Sequence, residues 1–231
     1  MEENETKNEE QKTIDIDTEE LKKEAANTMG QVKDTMKDLR IKDETMNATN
    51  FVKEMVKDPI SKTEEISKDT DNKYLKTSVF MVIVWMAAEL LYSVLYRVKY
   101  SFTSRSFLSI LKATLSPLCI ILALTLIIFI LNKKHKKSLT TVLSTVVTAY
   151  IPMCISSIIH LLTLIDSGMY KITTPVSTLA TFITIILSYF AVKDIFEEET
   201  ELGNFKKFVL VELIYFGVAI VISFLGISMY I

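Results

Sequence analysis

Apolar residues are concentrated in five long stretches of the chain beyond residue 77. Each stretch is long enough for a helix that crosses the hydrocarbon core of a bilayer, which takes roughly 20 residues. The stretches are too long for barrel strands and lack the period-two alternation of such strands. The pattern therefore predicts an all-α, polytopic integral membrane protein whose membrane domain covers residues 77–231. The five predicted transmembrane helices lie at about 78–96, 107–131, 139–165, 172–192 and 208–231.

The first 49 residues have a different pattern. They are rich in acidic side chains, and only Leu21, Val32, Met36 and Leu39 suggest a weak helical period. Segments with few apolar residues cannot bury enough surface to offset the entropy of ordering. We expect a tail over 1–49 that is largely disordered or marginally helical.

Residues 50–76 form a juxtamembrane amphipathic segment. Phe51, Val52, Met55 and Val56 fall on one face of a helix, and Pro59 should end or kink that helix. Because the segment precedes the first span, we expect this face to lie among the lipid headgroups. Docking of the same face on a soluble protein is the alternative.

Charge is divided as sharply as hydropathy. Residues 1–76 hold 14 basic and 20 acidic residues, a net charge of −6, while the rest of the chain has 12 and 8, a net charge of +4. Basic residues near span ends favour the cytoplasmic side. Ten basic residues near span ends would lie on the same side of the membrane as the N-terminal tail, and five would lie on the opposite side. The ten are Lys68, Lys73, Lys76, Lys133, Lys134, Lys136, Lys137, Lys193, Lys206 and Lys207, and the five are Arg97, Lys99, Arg105, Lys112 and Lys171.

This bias predicts a multi-pass protein of the cell membrane with a cytoplasmic N-terminus and an extracytoplasmic C-terminus. The acidic N-terminus has no apolar core of the kind found in secretory signals, so we expect no cleavable signal peptide. Cys119 and Cys154 both fall inside predicted spans, where small apolar packing is their expected role.

Several local features resemble the bacterial branch of the YPT-interacting-protein (Yip) membrane family. Members open with an amphipathic stretch that Pro59, Thr63 and Ile66 match here, and many carry an aromatic-x-Pro element in the third span, matched by Tyr150 and Pro152. A short polar loop before the fifth span, 193–207, is also similar. The resemblance covers about 50–231. It implies an integral membrane protein without demonstrated catalysis that acts in membrane organisation or trafficking.

The chain also departs from this family. Many bacterial relatives begin with a zinc ribbon, whereas residues 1–76 contain no cysteine. The Asp-Leu-Tyr-Gly-Pro-like element of eukaryotic members is missing as well. The resemblance therefore does not extend to binding of a Rab-type GTPase.

Ionisable side chains inside predicted spans are candidates for function, because burying a charge in the membrane is costly. The three candidates are Glu89, Lys112 and His160. An antiparallel hairpin of the first two spans puts Glu89 and Lys112 at depths that differ by about 6 Å, so we hypothesise an ion pair. The alternatives are a protonated Glu89 bonded to a Ser or Tyr, and a Lys112 that extends toward the interface. Glu212, close to the start of the fifth span, should reach that interface.

His160 has Ser156 and Ser157 on its own helical face, so either serine is expected to bond to it. The arrangement lacks the orienting acid and the oxyanion hole of a serine nucleophile. With two histidines in the chain and no phosphate-binding glycine loop, we predict no enzyme activity, no cofactor and no metal.

Threonines and serines recur at three- and four-residue spacing in the third and fourth spans. Close helix packing is the first interpretation of such small residues, and a polar permeation path is the second. The sequence thus favours a non-catalytic protein that organises membranes or binds a partner, with a small-solute transporter or channel component as the alternative.

Expected partners follow from the charge pattern. Lys133, Lys134, Lys136 and Lys137 form a short basic run suited to anionic lipid headgroups and too short for nucleic acid. The 1–76 tail is the expected site for an unknown protein partner, and a second copy of the chain stays open as a further one.

Overall fold

A computed structural model describes residues 18–100, 106–132 and 137–224. Every described element is helical. The nine α-helices in this part of the chain are α1 (Thr18–Lys37), α2 (Ile41–Lys57), α3 (Pro59–Ser67), α4 (Leu75–Tyr100), α5 (Ser106–Leu131), α6 (Leu139–Ala149), α7 (Ile151–His160), α8 (Tyr170–Phe196) and α9 (Glu201–Phe224). Two short 3-10 turns, Leu161–Leu164 and Ser167–Met169, join α7 to α8.

Three described helices are long and apolar enough to cross a membrane: Leu75–Tyr100, Phe107–Leu131 and Ser167–Phe196. They correspond to the first, second and fourth predicted spans. A fourth candidate is the pair formed by α6 and the helix that follows it, which together match the predicted 139–165. The described part of α9 carries Lys206, Lys207 and Glu212 and is not among these candidates. The described residues thus contain three helices that could span a membrane, or four if the bent pair counts as one, and the fifth span stays a prediction.

The third predicted span is broken at Tyr150. The helices on either side of the break meet at 46°. Pro152 lies in the first turn of α7, where its missing N–H costs no helical hydrogen bond. Tyr150 ends α6, and its amide donates to the Val147 carbonyl at 3.0 Å. Pro152 is thus accommodated at the start of a new helix, directly after the break.

Two ends of the bundle are defined by hydrogen bonds between distant parts of the chain. At the tail end, Thr141 Oγ1 donates to the Asp69 carbonyl at 2.7 Å, and Lys137 pairs with Glu197 at 2.9 Å. At the far end, Lys99 Nζ donates to the Leu164 carbonyl at 3.0 Å. The starts of α4 and α6 therefore lie together with the end of α8, as alternating spans require.

The tail helices pack on this bundle instead of extending from it. Phe51, Met55 and Ile66 are buried in the same core as residues of the candidate spans. The apolar face of the juxtamembrane segment is therefore covered at these three positions by the chain's own helices, and not by lipid headgroups. Val56, also assigned to that face, is exposed. From residue 18 onward the predicted tail is helical, and residues 1–17 lie outside the described part.

The break between α2 and α3 agrees with the sequence. α2 ends at Lys57, and Pro59 is the first residue of α3. The Asp58 carboxylate accepts a hydrogen bond from the Ser61 amide at 3.1 Å, which caps α3. This bond lowers the pKa of Asp58.

A buried lysine joins α2 and α3 to Tyr74, the residue that precedes α4. The Lys62 side chain is 9% exposed and contacts Glu54 at 2.7 Å and Glu65 at 2.8 Å. It also donates to Tyr74 Oη at 3.2 Å, and its ammonium lies 4.7 Å from the centre of the Tyr74 ring. Burial lowers the pKa of Lys62, but the hydrogen bonds to Glu54, Glu65 and Tyr74 outweigh it and raise the pKa. This cluster was not predicted from the sequence.

Hydroxyl groups of α6 are used for packing. Thr145 and Thr148 are fully buried, and their side chains donate to the carbonyls of Thr141 and Ser144 at 2.8 and 2.7 Å. Such bonds satisfy the hydroxyl within its own helix and leave a small surface for a neighbour. Cys154 is buried and Cys119 is half-buried, and both are free thiols.

Candidate functional site

A polar cavity of about 220 Å³ lies among α4, α5, α7 and α8. Two of the three ionisable residues selected from the sequence, Glu89 and His160, line it. The other lining residues are Trp85, Tyr92, Ser93, Ala113, Met153, Ser156, Ser157 and Ser177. Residues from three candidate spans and from the bent pair thus contribute to one site.

A chain of hydrogen bonds fixes one side of the cavity. Trp85 Nε1 donates to Ser157 Oγ at 2.9 Å, and Ser157 Oγ donates to Glu89 Oε1 at 2.7 Å. Trp85 and Glu89 are four residues apart on α4 and so share a face. Because the indole can only donate, the Ser157 hydroxyl is left to donate to the carboxylate. One alternative was a hydrogen bond between Glu89 and a serine. The serine partner is confirmed, and it is Ser157.

The hypothesised pair of Glu89 with Lys112 does not form. None of the ion pairs between described residues joins these two side chains. Ala113, the neighbour of Lys112, lines the cavity. Successive helical residues point about 100° apart. Similar depths in an antiparallel hairpin were therefore not sufficient to bring Glu89 and Lys112 into contact. The residue of α5 that lies toward the cavity with Glu89 is Ala113 and not Lys112.

His160 lies among tyrosines. Its ring centre is 4.8 Å from that of Tyr92 and 5.6 Å from that of Tyr170. The two tyrosine hydroxyls are 3.2 Å apart, so either can donate to the other. Of the two serines expected to bond to His160, Ser157 instead donates to Glu89. The imidazole thus packs in an aromatic wall of the cavity.

Tyr150 and Glu212 meet at a second, much smaller cavity. Its walls come from α5, α6, α8 and α9 and include Ser188. Glu212 is half-buried there. Glu212 was expected to reach the membrane interface. In the structure it lies beside the helix break at Tyr150. The Tyr150 ring also stacks on Trp85, with ring centres 6.1 Å apart.

Pro59 and Pro152, matched to the family motifs in separate segments, line a common groove. The groove has a volume of about 290 Å³ and is mostly apolar. It runs between the α2–α3 corner, with Met55 and Val56, and the walls of α7 and α8. The structure therefore brings the juxtamembrane segment to the level of the break in the third span.

The basic run before α6 is only partly described. Lys133, Lys134 and Lys136 lie outside the described residues. Lys137, the fourth lysine predicted to contact anionic lipid, instead pairs with Glu197. This exposed pair holds the start of α6 near the end of α8, and its contribution to stability is small.

Trp85, Tyr92, Tyr170 and Ser177 were not selected from the sequence. The spacing of Trp85 and Tyr92 from Glu89, at i−4 and i+3, could have indicated a shared face. Tyr170 and Ser177 come from α8, and only the packing of α8 against α7 reveals their place. No protein-family model, curated protein or solved structure matches the chain.

Proposed function

We propose that this chain is a five-span, Yip-type integral membrane protein that acts without catalysis by holding a protein partner on its cytoplasmic helices. The observation that carries the proposal is a set of exposed apolar side chains on α1 and α2. These helices precede the first span and are fixed to the bundle at the same time. A partner would therefore meet a surface whose position relative to the membrane is set.

Several large apolar side chains are exposed among the charged residues of α1 and α2. Met29, Met36 and Ile41 are exposed to 75%, 54% and 76% of their surface, and Met46 is exposed as well. Met29 and Met36 are seven residues apart, which places them on one face of α1. Methionine is flexible and polarisable and is used at adaptable binding surfaces.

The inward side of the same helices is anchored. Val32 of α1 packs against the core, and Thr35 and Ala48 are buried. Lys62 ties α3 to α2 and to Tyr74, directly before α4. Ordering of the surface before binding reduces the entropy lost when a partner binds.

The distribution of lysines supports a cytoplasmic location of the end of the bundle that carries these helices. Lys68, Lys73, Lys76, Lys137 and Lys193 all lie near helix ends at the tail end of the bundle. Such an excess of lysine is typical of the cytoplasmic side. The fifth span extends the proposal: residues 208–231 are apolar apart from Glu212 and would return the chain to the opposite side.

A transporter or channel component is the second candidate. It is favoured by the polar cavity around Glu89 and by the helix break beside it, since broken helices often line solute sites in membrane transporters. Saturable solute flux into proteoliposomes that hold the full chain would favour this candidate over the first.

Photo-crosslinking tests the first candidate in native membranes. A crosslinking side chain at Met29 or Met36 should give a discrete protein adduct, and Met29→Gln with Met36→Gln should abolish the adduct formed from Ile41. The matched control replaces Lys22 and Lys33, exposed on the same helix, by glutamine, and should leave that adduct unchanged. Adducts with lipid alone, or none at any of the three positions, would contradict the proposal.

A further inference from the structure

His160 is the one basic side chain among the described residues that line the cavity with the Glu89 carboxylate. Glu89 is the only Asp or Glu among the described residues that line the cavity, and no Lys or Arg is among them. Its described hydrogen bond comes from a neutral hydroxyl, Ser157. A charge held inside a membrane domain is normally paired or lies in a pathway for a charged ligand.

The walls around this carboxylate are aromatic. Trp85 and Tyr92 line the cavity together with His160, and the Tyr170 ring packs edge-on against the imidazole. Faces of Trp and Tyr attract cations, and quaternary ammonium groups in particular are recognised by aromatic cages. A carboxylate beside aromatic rings therefore matches an organic ammonium better than a metal ion, which would require several oxygen ligands.

The size of the cavity limits the ligand further. Its volume of about 220 Å³ is below the roughly 300–1,000 Å³ of sites for drug-sized ligands. Ser93, Ser156 and Ser177 add hydroxyl groups to the lining, which suit a ligand with one further polar group. A cavity of this volume thus suits a small head group better than a large solute.

We infer that the cavity formed by Glu89, Trp85, Tyr92 and His160 binds an ammonium group, with Glu89 as its counter-ion. The ammonium belongs either to a small free amine or to the headgroup of a membrane lipid. This site is separate from the exposed faces of α1 and α2, so it goes beyond the proposed partner binding.

The chain contains its own reporter for this site. Trp85 is the only tryptophan in the sequence and lines the cavity. Its fluorescence can therefore be followed in the full chain, reconstituted in nanodiscs of phosphatidylglycerol, which offer no ammonium headgroup. Choline is the free probe, and its neutral isostere, in which carbon replaces the quaternary nitrogen, is the comparison. Replacing part of the lipid by phosphatidylcholine tests the headgroup as the source.

We expect a saturable change in Trp85 emission with choline, with phosphatidylcholine, or with both, and no change with the neutral isostere. Glu89→Gln keeps an oxygen that can accept from Ser157 and should weaken binding by about tenfold or more. Glu212→Gln removes a carboxylate from the other, smaller cavity and should leave binding unchanged.

Three results would overturn the inference. One is the absence of a saturable response to either source of ammonium in the folded wild-type protein. Another is an equal response to the neutral isostere. The last is unchanged binding by Glu89→Gln, or an equal loss in Glu212→Gln. Since none of these readouts involves α1 or α2, failure here is distinct from failure of the partner-binding proposal.

Discussion

Ser157 on α7 donates a hydrogen bond of 2.7 Å to Glu89 on α4. The two residues are 68 positions apart in the chain, and the bond joins the first candidate span to the broken third one. This bond gives a reason for a polar residue, Ser157, on the face of α7 that packs against α4. It also ties the orientation of α7 to the carboxylate.

Removing this donor should destabilise the bundle. In Ser157→Ala, both the Trp85 N–H and the Glu89 carboxylate lose a partner in a half-buried site, at a cost of about 1–3 kcal/mol. Thermal unfolding in detergent should show a lower midpoint. Ser93→Ala, in the same cavity but outside this chain of bonds, should have little effect. Equal midpoints for wild type and Ser157→Ala would contradict the assigned bond.

Docking of α3 on the bundle gives a second prediction. Ile66 is fully buried, whereas Ile60 on the same helix is 42% exposed. Ile66→Ala should therefore cost about 2–5 kcal/mol, and Ile60→Ala clearly less. Limited proteolysis of the juxtamembrane segment reports the docking directly, and cleavage should be faster in Ile66→Ala only. Equal protection of the two variants would show that the helix does not dock as described.

The Lys62 cluster should matter more than a surface ion pair. Lys62→Met leaves Glu54 and Glu65 without their shared cation, and because those carboxylates are half-exposed we expect a loss of about 1–3 kcal/mol. Lys68→Met removes an exposed pair with Glu64 and should have a smaller effect, because solvent screens exposed ion pairs. Denaturant unfolding of the two variants would distinguish these effects, and a larger loss for Lys68→Met would contradict the structure.

The same cluster predicts a dependence on pH. Hydrogen bonds from Lys62 and Tyr74 lower the pKa of Glu65 below its ordinary 4.5. A lowered carboxyl pKa contributes stability above 4.5, and this contribution is lost as pH falls through the folded-state value. Lys62, whose pKa is raised, contributes below 10.5 and loses that contribution only at higher pH.

Protection of α3 from protease should therefore hold at neutral pH and decline on acidification below 4.5. The decline should be smaller in Glu65→Gln, which no longer titrates. A Glu65→Gln protein with the full acid dependence would assign the effect to other groups.

The membrane helices could be predicted because hydropathy over a long window is a property of the segment itself. Their polar contacts could not. Pairing Glu89 with Lys112 used depth alone, and the rotation of α5 about its axis depends on its neighbours. The docking of α3 was not predicted for a related reason. Lys62, Thr63 and Ser67 are polar, yet all three are buried where α3 packs against α2, α6 and α8. A single sequence does not reveal which helix covers them.

Topology mapping tests the central claim of a five-span protein with a cytoplasmic N-terminus most directly. Reporters would be fused after residues 76, 102, 135, 169, 200 and 231 of the chain. The account predicts cytoplasmic signals after 76, 135 and 200, and extracytoplasmic signals after 102, 169 and 231. A cytoplasmic C-terminus, or an extracytoplasmic signal after residue 76, would contradict it.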